Sequence, residues 1–303
     1  MILEYLLDKV DLKIIYLFSN NSRMSFRSMS SDIGLTSKSI KARVEKMISR
    51  KVIRSFFLIV NPSVFGYNKI CVLKGRYEKK ICDTDVFNLF SSMGNILTRI
   101  QYLGRGFAYS LAINDQSENE VKSLLDSLNW PIKYKIFQFK NVPSQELSKT
   151  DLKIIQCLLE NPRMDINRVA GQISLSSKTV TRHLDKMIQN HVLRFSILCD
   201  SSSTFGYLQF SITLSVDESR YHLIHHYVST TFKNNIFYIP RAFATPPNEM
   251  RFFLFSKNLS SIETMLVELE SIDGVKSIEF FVVLSIETYT EWIVKEIHQR
   301  LLG

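Results

Sequence analysis

Two short segments of the sequence combine hydroxyl groups and cationic side chains at the start of a predicted helix. The first begins at Thr36 and the second at Ser176. Hydroxyl and ammonium groups beside the free N–H groups of a helix N-terminus suit phosphate oxygens and base edges, so these segments predict recognition of a polyanion. The candidate contact residues are Thr36, Ser37, Lys38, Ser39, Lys41, Arg43 and Lys46 in the first segment, and Ser176, Ser177, Lys178, Thr179, Thr181, Arg182 and Lys186 in the second.

Helix capping and a solvated charged face explain any single one of these residues equally well. The distribution of charge favours the binding interpretation. The net charge of +9 is concentrated in two stretches: residues 1–67 hold 11 Lys/Arg against 5 Asp/Glu, and residues 147–207 hold 8 against 5. The net charges of the remaining stretches, residues 68–146 and 208–303, cancel each other. Because a basic footprint confined to matching segments is typical of a polyanion partner, we expect nucleic acid.

The same two stretches form an internal repeat. LDKVDLKII at residue 7 returns as LSKTDLKII at residue 147, and the offset of 140 holds without a gap to residues 67 and 207. More than a third of the paired positions are identical. The sequence therefore predicts a duplicated chain whose copies are joined by a short polar linker at 141–146.

The candidate residues need helices to position them. In the first copy, apolar periodicity predicts one helix before the polar Asn20-Asn21-Ser22 break, a short second helix at 25–32, a turn at Gly34-Leu35-Thr36 and a third helix with one buried stripe. A β-rich stretch at 52–60 follows and predicts a small hairpin, the wing. The second copy repeats the pattern. This is the plan of a winged helix-turn-helix, whose third helix enters the major groove of DNA.

At these residues the sequence resembles the feast/famine (leucine-responsive, Lrp/AsnC) family of prokaryotic transcriptional regulators, with an archaeal character. The motifs are LDKVDLKII, LTSKSIKARVEKMISRKVI and VNPSVFGY in copy one, and LSKTDLKII, LSSKTVTRHLDKMIQNHVL and STFGY in copy two. The resemblance implies DNA binding through the third helix of each copy. It also implies a regulatory and assembly domain after each helix-turn-helix.

The remaining segments fit that second domain. Strand and helix patterns in the order βαββαβ follow each helix-turn-helix, and this order is typical of a ferredoxin-like α+β fold. A further amphipathic helix is predicted at 288–302. We therefore predict four domains, with the terminal helix in the last: winged helix-turn-helix 1 at 1–66, ferredoxin-like 1 at 67–141, winged helix-turn-helix 2 at 146–206 and ferredoxin-like 2 at 207–303.

The resemblance also implies assembly through the ferredoxin-like domains and a small amino-acid-like effector near one turn of each. That turn departs from the family pattern, because Gly104-Arg105-Gly106-Phe107 and Pro240-Arg241-Ala242-Phe243 offer no carboxylate for an ammonium group. From the resemblance we predict a homo-oligomer. From the missing carboxylate we predict that any small-molecule effector is not a standard amino acid.

Two alternatives to a regulator stay open. Siroheme decarboxylases resemble the same family and handle a tetrapyrrole; here the first copy has no histidine, and only Arg99, Arg105 and Arg241 are placed to hold propionates. A non-DNA assembly or sensor module is the other alternative.

We favour the regulator: a cytoplasmic, sequence-specific binder of double-stranded DNA, acting as a covalent pseudo-dimer. The sequence contains no phosphate loop, nucleophile elbow or convincing metal-ligand set, so we expect no enzyme, no catalytic residues and no cofactor. The His222/His226 pair has metal-chelating spacing, but nothing in the sequence completes a site. The four cysteines are expected to be buried apolar residues. No apolar run is long enough to span a membrane, and we expect no signal peptide.

Overall fold

A computed structural model describes residues 6–77, 83–128, 130–139, 146–200, 206–238 and 248–302. The chain divides into two compact units. Unit 1 comprises residues 1–55, 197–241 and 245–285, and unit 2 comprises residues 56–196, 242–244 and 286–303. Each unit thus combines the helix-turn-helix of one copy with most of the ferredoxin-like segment of the other. The four sequence-based domain boundaries stay predictions, and residues 141–145 of the predicted linker lie outside the described residues.

The three predicted helices are present in each copy, and the buried stripe of the third is confirmed. Ile40, Val44 and Met47 are buried on the third helix of the first copy, as are their counterparts in the second. The helices are α1 (Lys9–Asn20), α2 (Phe26–Ile33) and α3 (Ser37–Ser49) in unit 1, and α6 (Lys149–Glu160), α7 (Ile166–Gln172) and α8 (Ser177–Gln189) in unit 2.

The predicted hairpin after each third helix is wrong. Among the described residues that follow each third helix and precede the ferredoxin-like segment there is one strand per copy. These strands, β1 (Ile53–Val60) and β6 (Leu193–Cys199), pair with each other in a two-stranded sheet. The N–H of Asp200 donates to the carbonyl of Val52 at 3.0 Å, and the N–H of Asn61 donates to the carbonyl of Val192 at 2.9 Å. A strand needs a partner for its backbone groups, and the counterpart from the other copy supplies it.

The ferredoxin-like order is present in the first copy. Its strands form an antiparallel arrangement in the order β5-β2-β4-β3, around a core that includes Phe90, Phe107 and Tyr109. The elements are β2 (Lys69–Arg76), α4 (Asp83–Met93), β3 (Asn95–Tyr102), β4 (Gly106–Ile113), α5 (Asp115–Ser127) and β5 (Lys133–Gln138).

The second copy has the same strand order, β10-β7-β9-β8, with a core around Phe210, Phe252 and Ile262. The elements are β7 (Leu208–Val216), α9 (Tyr221–Thr231), β8 (Ile236–Tyr238), β9 (Glu249–Ser256), α10 (Leu259–Glu270) and β10 (Val275–Thr288). The turn between β8 and β9, including the predicted Pro240–Phe243 segment, lies outside the described residues. Fold class is thus confirmed as winged helix-turn-helix segments combined with ferredoxin-like segments.

The terminal helix α11 (Glu291–Leu302) begins three residues later than predicted. Its buried side chains Trp292, Ile293 and Ile297 belong to the same core as α6 and α8. The Trp292 ring packs edge-on against Phe65 and Tyr67. The helix therefore completes the core of the second helix-turn-helix within unit 2.

Candidate nucleic-acid interface

The third helices α3 and α8, called the recognition helices below, each begin at a side-chain cap. Thr36 Oγ1 accepts a hydrogen bond from the N–H of Ser39 at 3.2 Å, and Ser176 Oγ accepts one from the N–H of Thr179 at 3.1 Å. A cap satisfies one free N–H group and fixes the first turn. Thr36 and Ser176 therefore stabilise the helix starts that carry the candidate contact residues.

The next hydroxyl in each recognition helix contacts the preceding helix. Ser37 Oγ lies 3.2 Å from Ser30 Oγ of α2, and Ser177 Oγ donates to Asn167 Oδ1 of α7 at 2.6 Å. Both serines are half-buried. These contacts fix the angle of the turn, so Ser37 and Ser177 are positioning residues in this arrangement.

The side of each recognition helix away from the buried stripe carries cations and hydroxyls. In α3 the Lys41 ammonium lies 3.8 Å from Glu45 Oε1, and both side chains are more than half exposed, so this pair adds little stability. A shallow concavity runs along α8 and is lined by Lys178, Thr179, Thr181, Arg182, Asp185, Lys186 and Gln189. The exposed candidate residues are Thr36, Lys38, Ser39, Lys41, Lys46, Ser176, Lys178, Thr181, Arg182 and Lys186.

Arg43 is placed differently from the other candidate cations. Its Nη1 lies 2.8 Å from Asp8 Oδ2 and 2.8 Å from Asp11 Oδ1, and Asp11 is buried. Asp8 and Asp11 form the capping box of α1. The Arg43 guanidinium therefore fastens α3 to the start of α1.

The ion pairs of Arg43 also shift acid–base equilibria. Burial alone would raise the pKa of Asp8, but the N–H of Asp11 and the Arg43 guanidinium bring that pKa below its ordinary value. Hydrogen bonds to Asp11 and Asp8 raise the pKa of Arg43 in turn. The charged forms of Asp8 and Arg43 are thus favoured where α1 meets α3.

His183 takes the place of Arg43 in the second copy. The offset of 140 aligns Arg43 with His183 and Asp11 with Asp151, and His183 Nδ1 lies 2.7 Å from Asp151 Oδ1. The hydroxyl of Ser148, the counterpart of Asp8, donates to Asp151 Oδ2 at 2.6 Å. The same register aligns Arg182 with Ala42, so this cation belongs to the second recognition helix alone.

Two exposed cations beyond α3 were also missed from the sequence. Arg50 is the C-terminal cap of α3, and Lys51 follows it with a φ of 61°. Their counterparts are Asn190 and His191, so this extension of positive charge belongs to the first copy alone. The signal was available in the higher charge of residues 1–67.

The histidines of α9 do not form a metal centre among the described residues, where no group of three ligating side chains is close enough to hold an ion. The His225 ring lies 5.6 Å from that of Phe252, so it packs against the core.

Burial raises the pKa of Cys71 and of Cys199 to about 12, in keeping with their prediction as buried residues. Cys157 is half-buried, and Cys82 lies outside the described residues. No described helix is long and apolar enough to cross a membrane.

The cations proposed for a tetrapyrrole are partly engaged elsewhere. Arg99 is ion-paired with Asp83, and its Nη2 lies 3.2 Å from Glu287 Oε1. Arg105 lies in the turn before β4 with a φ of 67°, and Arg241 is outside the described residues.

Comparison with known proteins finds a matching helix-turn-helix family model for each of the two segments. Residues 7–48 match an AsnC-type helix-turn-helix domain, and residues 147–194 match a winged helix-turn-helix DNA-binding domain. The HTH-type transcriptional regulator Ptr1 of Methanocaldococcus jannaschii is 27% identical over 41% of this chain and 82% of its own length. The HTH-type transcriptional regulator FL11 of Pyrococcus furiosus is 33% identical over 24% of this chain and 52% of its own length, so the chain spans about half of that relative.

Among solved structures, a siroheme decarboxylase, NirDL, covers 98% of this chain with a TM-score of 0.51 at 13% identity. A likeness at that identity shows a shared fold. The sequence matches identify the chain as a homologue of Lrp/AsnC-family transcriptional regulators, mostly archaeal ones.

Proposed function

We propose that this Lrp/AsnC homologue is a transcriptional regulator that binds specific sequences of double-stranded DNA. The observation that carries the proposal is the matched construction of α3 and α8. Each has a capped start, a buried stripe, and cations on its solvent side. A recognition helix needs this arrangement, because its apolar face must pack while its polar face enters the major groove.

The candidate residues divide by the contacts they already make. Lys38, Lys41, Lys178 and Arg182 are exposed and are proposed to touch DNA, as are the remaining exposed cations and hydroxyls of the two helices. Arg43 is proposed to act through α1, since two carboxylates already hold its guanidinium. Arg50 and Lys51 join the proposal as phosphate contacts beside the first recognition helix.

The chain is proposed to act as a covalent pseudo-dimer, with its two recognition helices on half-sites roughly 34 Å, or one DNA turn, apart. Because Lys41 and Ala42 in α3 stand where Thr181 and Arg182 stand in α8, the operator is proposed to be asymmetric. The proposal includes a cytoplasmic location, no enzymatic activity, self-association through the ferredoxin-like domains and, where an effector binds, a molecule other than a standard amino acid.

Selection of bound sites from random duplex DNA tests this function. The proposal expects an enriched motif and a logarithmic salt dependence of the affinity, with each neutralised phosphate contributing about 0.9 to the slope. The K38A/K41A and K178A/R182A variants are compared with Lys276→Ala, which removes a lysine as exposed as Lys41 from outside the recognition helices. Absence of DNA binding at low salt would refute the proposal.

A tetrapyrrole enzyme is the second candidate, favoured by the full-length likeness in fold to the siroheme decarboxylase. The ion pairs of Arg99 weigh against it, because propionate binding there would compete with Asp83 and Glu287. Titration with siroheme separates the two candidates: a saturable shift of the Soret band would support the enzyme, and an unchanged spectrum supports the regulator.

A further inference from the structure

Helices α9 and α10 of unit 1 expose apolar side chains on their solvent side. Leu223 is 71% exposed, Val267 is 57% exposed and Tyr227 is 39% exposed. Tyr227 donates a hydrogen bond to Glu268 Oε1 at 2.6 Å, which joins the two helices at this point. We call these three apolar residues, together with the exposed polar residues of α9 and α10, the α9/α10 face.

The corresponding helices of the first ferredoxin-like copy serve as an internal comparison. Among the large apolar side chains described on α4 and α5, Leu124 is exposed at 43%. The other exposed positions include Asp85, Asn88, Glu120 and Ser123. The same two helices therefore expose mostly polar side chains in the first copy, as is usual for a surface that faces only solvent. The apolar surface of the second copy requires another cause.

Charge identifies what fits the α9/α10 face. Helix α9 exposes His222 and His226, whereas α10 exposes Glu263 and Glu270. Imidazole N–H groups donate hydrogen bonds to carboxylates in either protonation state of the ring. A face with donors along one helix and acceptors along the other is complementary to itself when a twofold axis places α9 of one chain on α10 of the next.

We propose that the α9/α10 face binds the same face of a second copy of this chain, with Leu223, Tyr227 and Val267 at the centre of the contact. The inference rests on the proposed self-association and names the surface responsible for it. Dimerisation of this kind links two chains, and hence four helix-turn-helix segments, in one closed assembly.

Sedimentation velocity of the full chain over a range of concentrations tests the inference. Wild type is expected to be in a monomer–dimer equilibrium, and L223D/V267D is expected to weaken it at least tenfold. Both side chains are more than half exposed, so the substitutions leave the core intact. Leu124→Asp on the first copy is the matched control and is expected to leave the equilibrium within twofold.

Exchanging the charges of the two helices provides a second test, in which association is first weakened and then restored. H222E/H226E places carboxylates opposite carboxylates and is expected to weaken association, and adding Glu263→Lys and Glu270→Lys in the same chain is expected to restore it. A monomeric wild type, an L223D/V267D variant that associates like wild type, or charge exchange without rescue would overturn the inference. DNA binding of L223D/V267D is measured alongside: its survival separates failure of this surface from failure of the regulator proposal.

Discussion

The two helix-turn-helix segments hold their recognition helices by different chemistry at the same aligned position. In the first, Arg43 bridges two carboxylates, Asp8 and Asp11. In the second, His183 contacts the single carboxylate of Asp151, while a serine hydroxyl satisfies the other oxygen. A contact between the third and first helices is thus present in both copies, made by a guanidinium in the first and by an imidazole in the second. The role of a cation in a recognition helix therefore depends on the partners that its side chain already contacts.

The largest effect expected from this comparison is on stability. Arg43→Ala removes the guanidinium that pairs with the buried carboxylate of Asp11 and is expected to destabilise the first helix-turn-helix by about 2–3 kcal/mol. His183→Ala is expected to cost its own segment about 1 kcal/mol, the value of a single hydrogen bond. Amide hydrogen exchange of α1–α3 and α6–α8 measures both locally, with Lys38→Ala as the neutral control. Equal losses in the two segments would break the comparison.

The next effect is on DNA recognition. Arg182 stands where the first copy has Ala42, and an exposed arginine in a recognition helix reads guanine through two hydrogen bonds. Arg182→Ala is expected to weaken specific binding by about 2 kcal/mol and to relax preference at one base pair. Ala42→Arg is expected to introduce a guanine preference in the other half-site. Selection experiments measure both changes; a uniform loss of affinity for all sequences would assign Arg182 to phosphate instead.

A smaller effect concerns the turn before each recognition helix. Gly34 has a φ of 81°, and its counterpart Ser174 adopts the same left-handed conformation with a φ of 56°. Side chains with a Cβ are strained there, so Ser174→Gly is expected to stabilise the second segment by about 1 kcal/mol and Gly34→Ser to destabilise the first similarly. Thermal unfolding measures both substitutions. Gly171→Ala, which changes a glycine at a helical position, is the control. Opposite signs would show that the turn is not under strain.

The smallest effect is a pH dependence in the first segment. Asp8 has a lowered pKa, so its stabilising contribution is complete above the ordinary aspartate value of about 4 and is lost as the pH falls through the lower folded value. Asp8→Ser installs the residue that the second copy uses. Local protection of α1 is expected to differ between wild type and Asp8→Ser at pH 6, and to converge below pH 4. A constant difference across this range would contradict the ion-pair account.

Sequence patterns predicted the elements well where local physics decides them. The buried stripe of each third helix lies where periodicity predicted it, and the caps Thr36 and Ser176 follow from side-chain chemistry. Periodicity carries no information on partners distant in sequence. The pairing of β1 with β6 and the grouping of each helix-turn-helix with the other copy's ferredoxin-like segment therefore came only from the structure. For the same reason, the engagement of Arg43 by Asp8 and Asp11 was not visible in the sequence.

Hydroxyl-radical footprinting of a selected operator tests most directly whether both recognition helices contact the same duplex. The account predicts two protected half-sites about one helical turn apart, with K38A/K41A removing protection from one and K178A/R182A from the other. Protection of a single half-site that both variants weaken equally, or loss of protection only with Lys276→Ala, would contradict it.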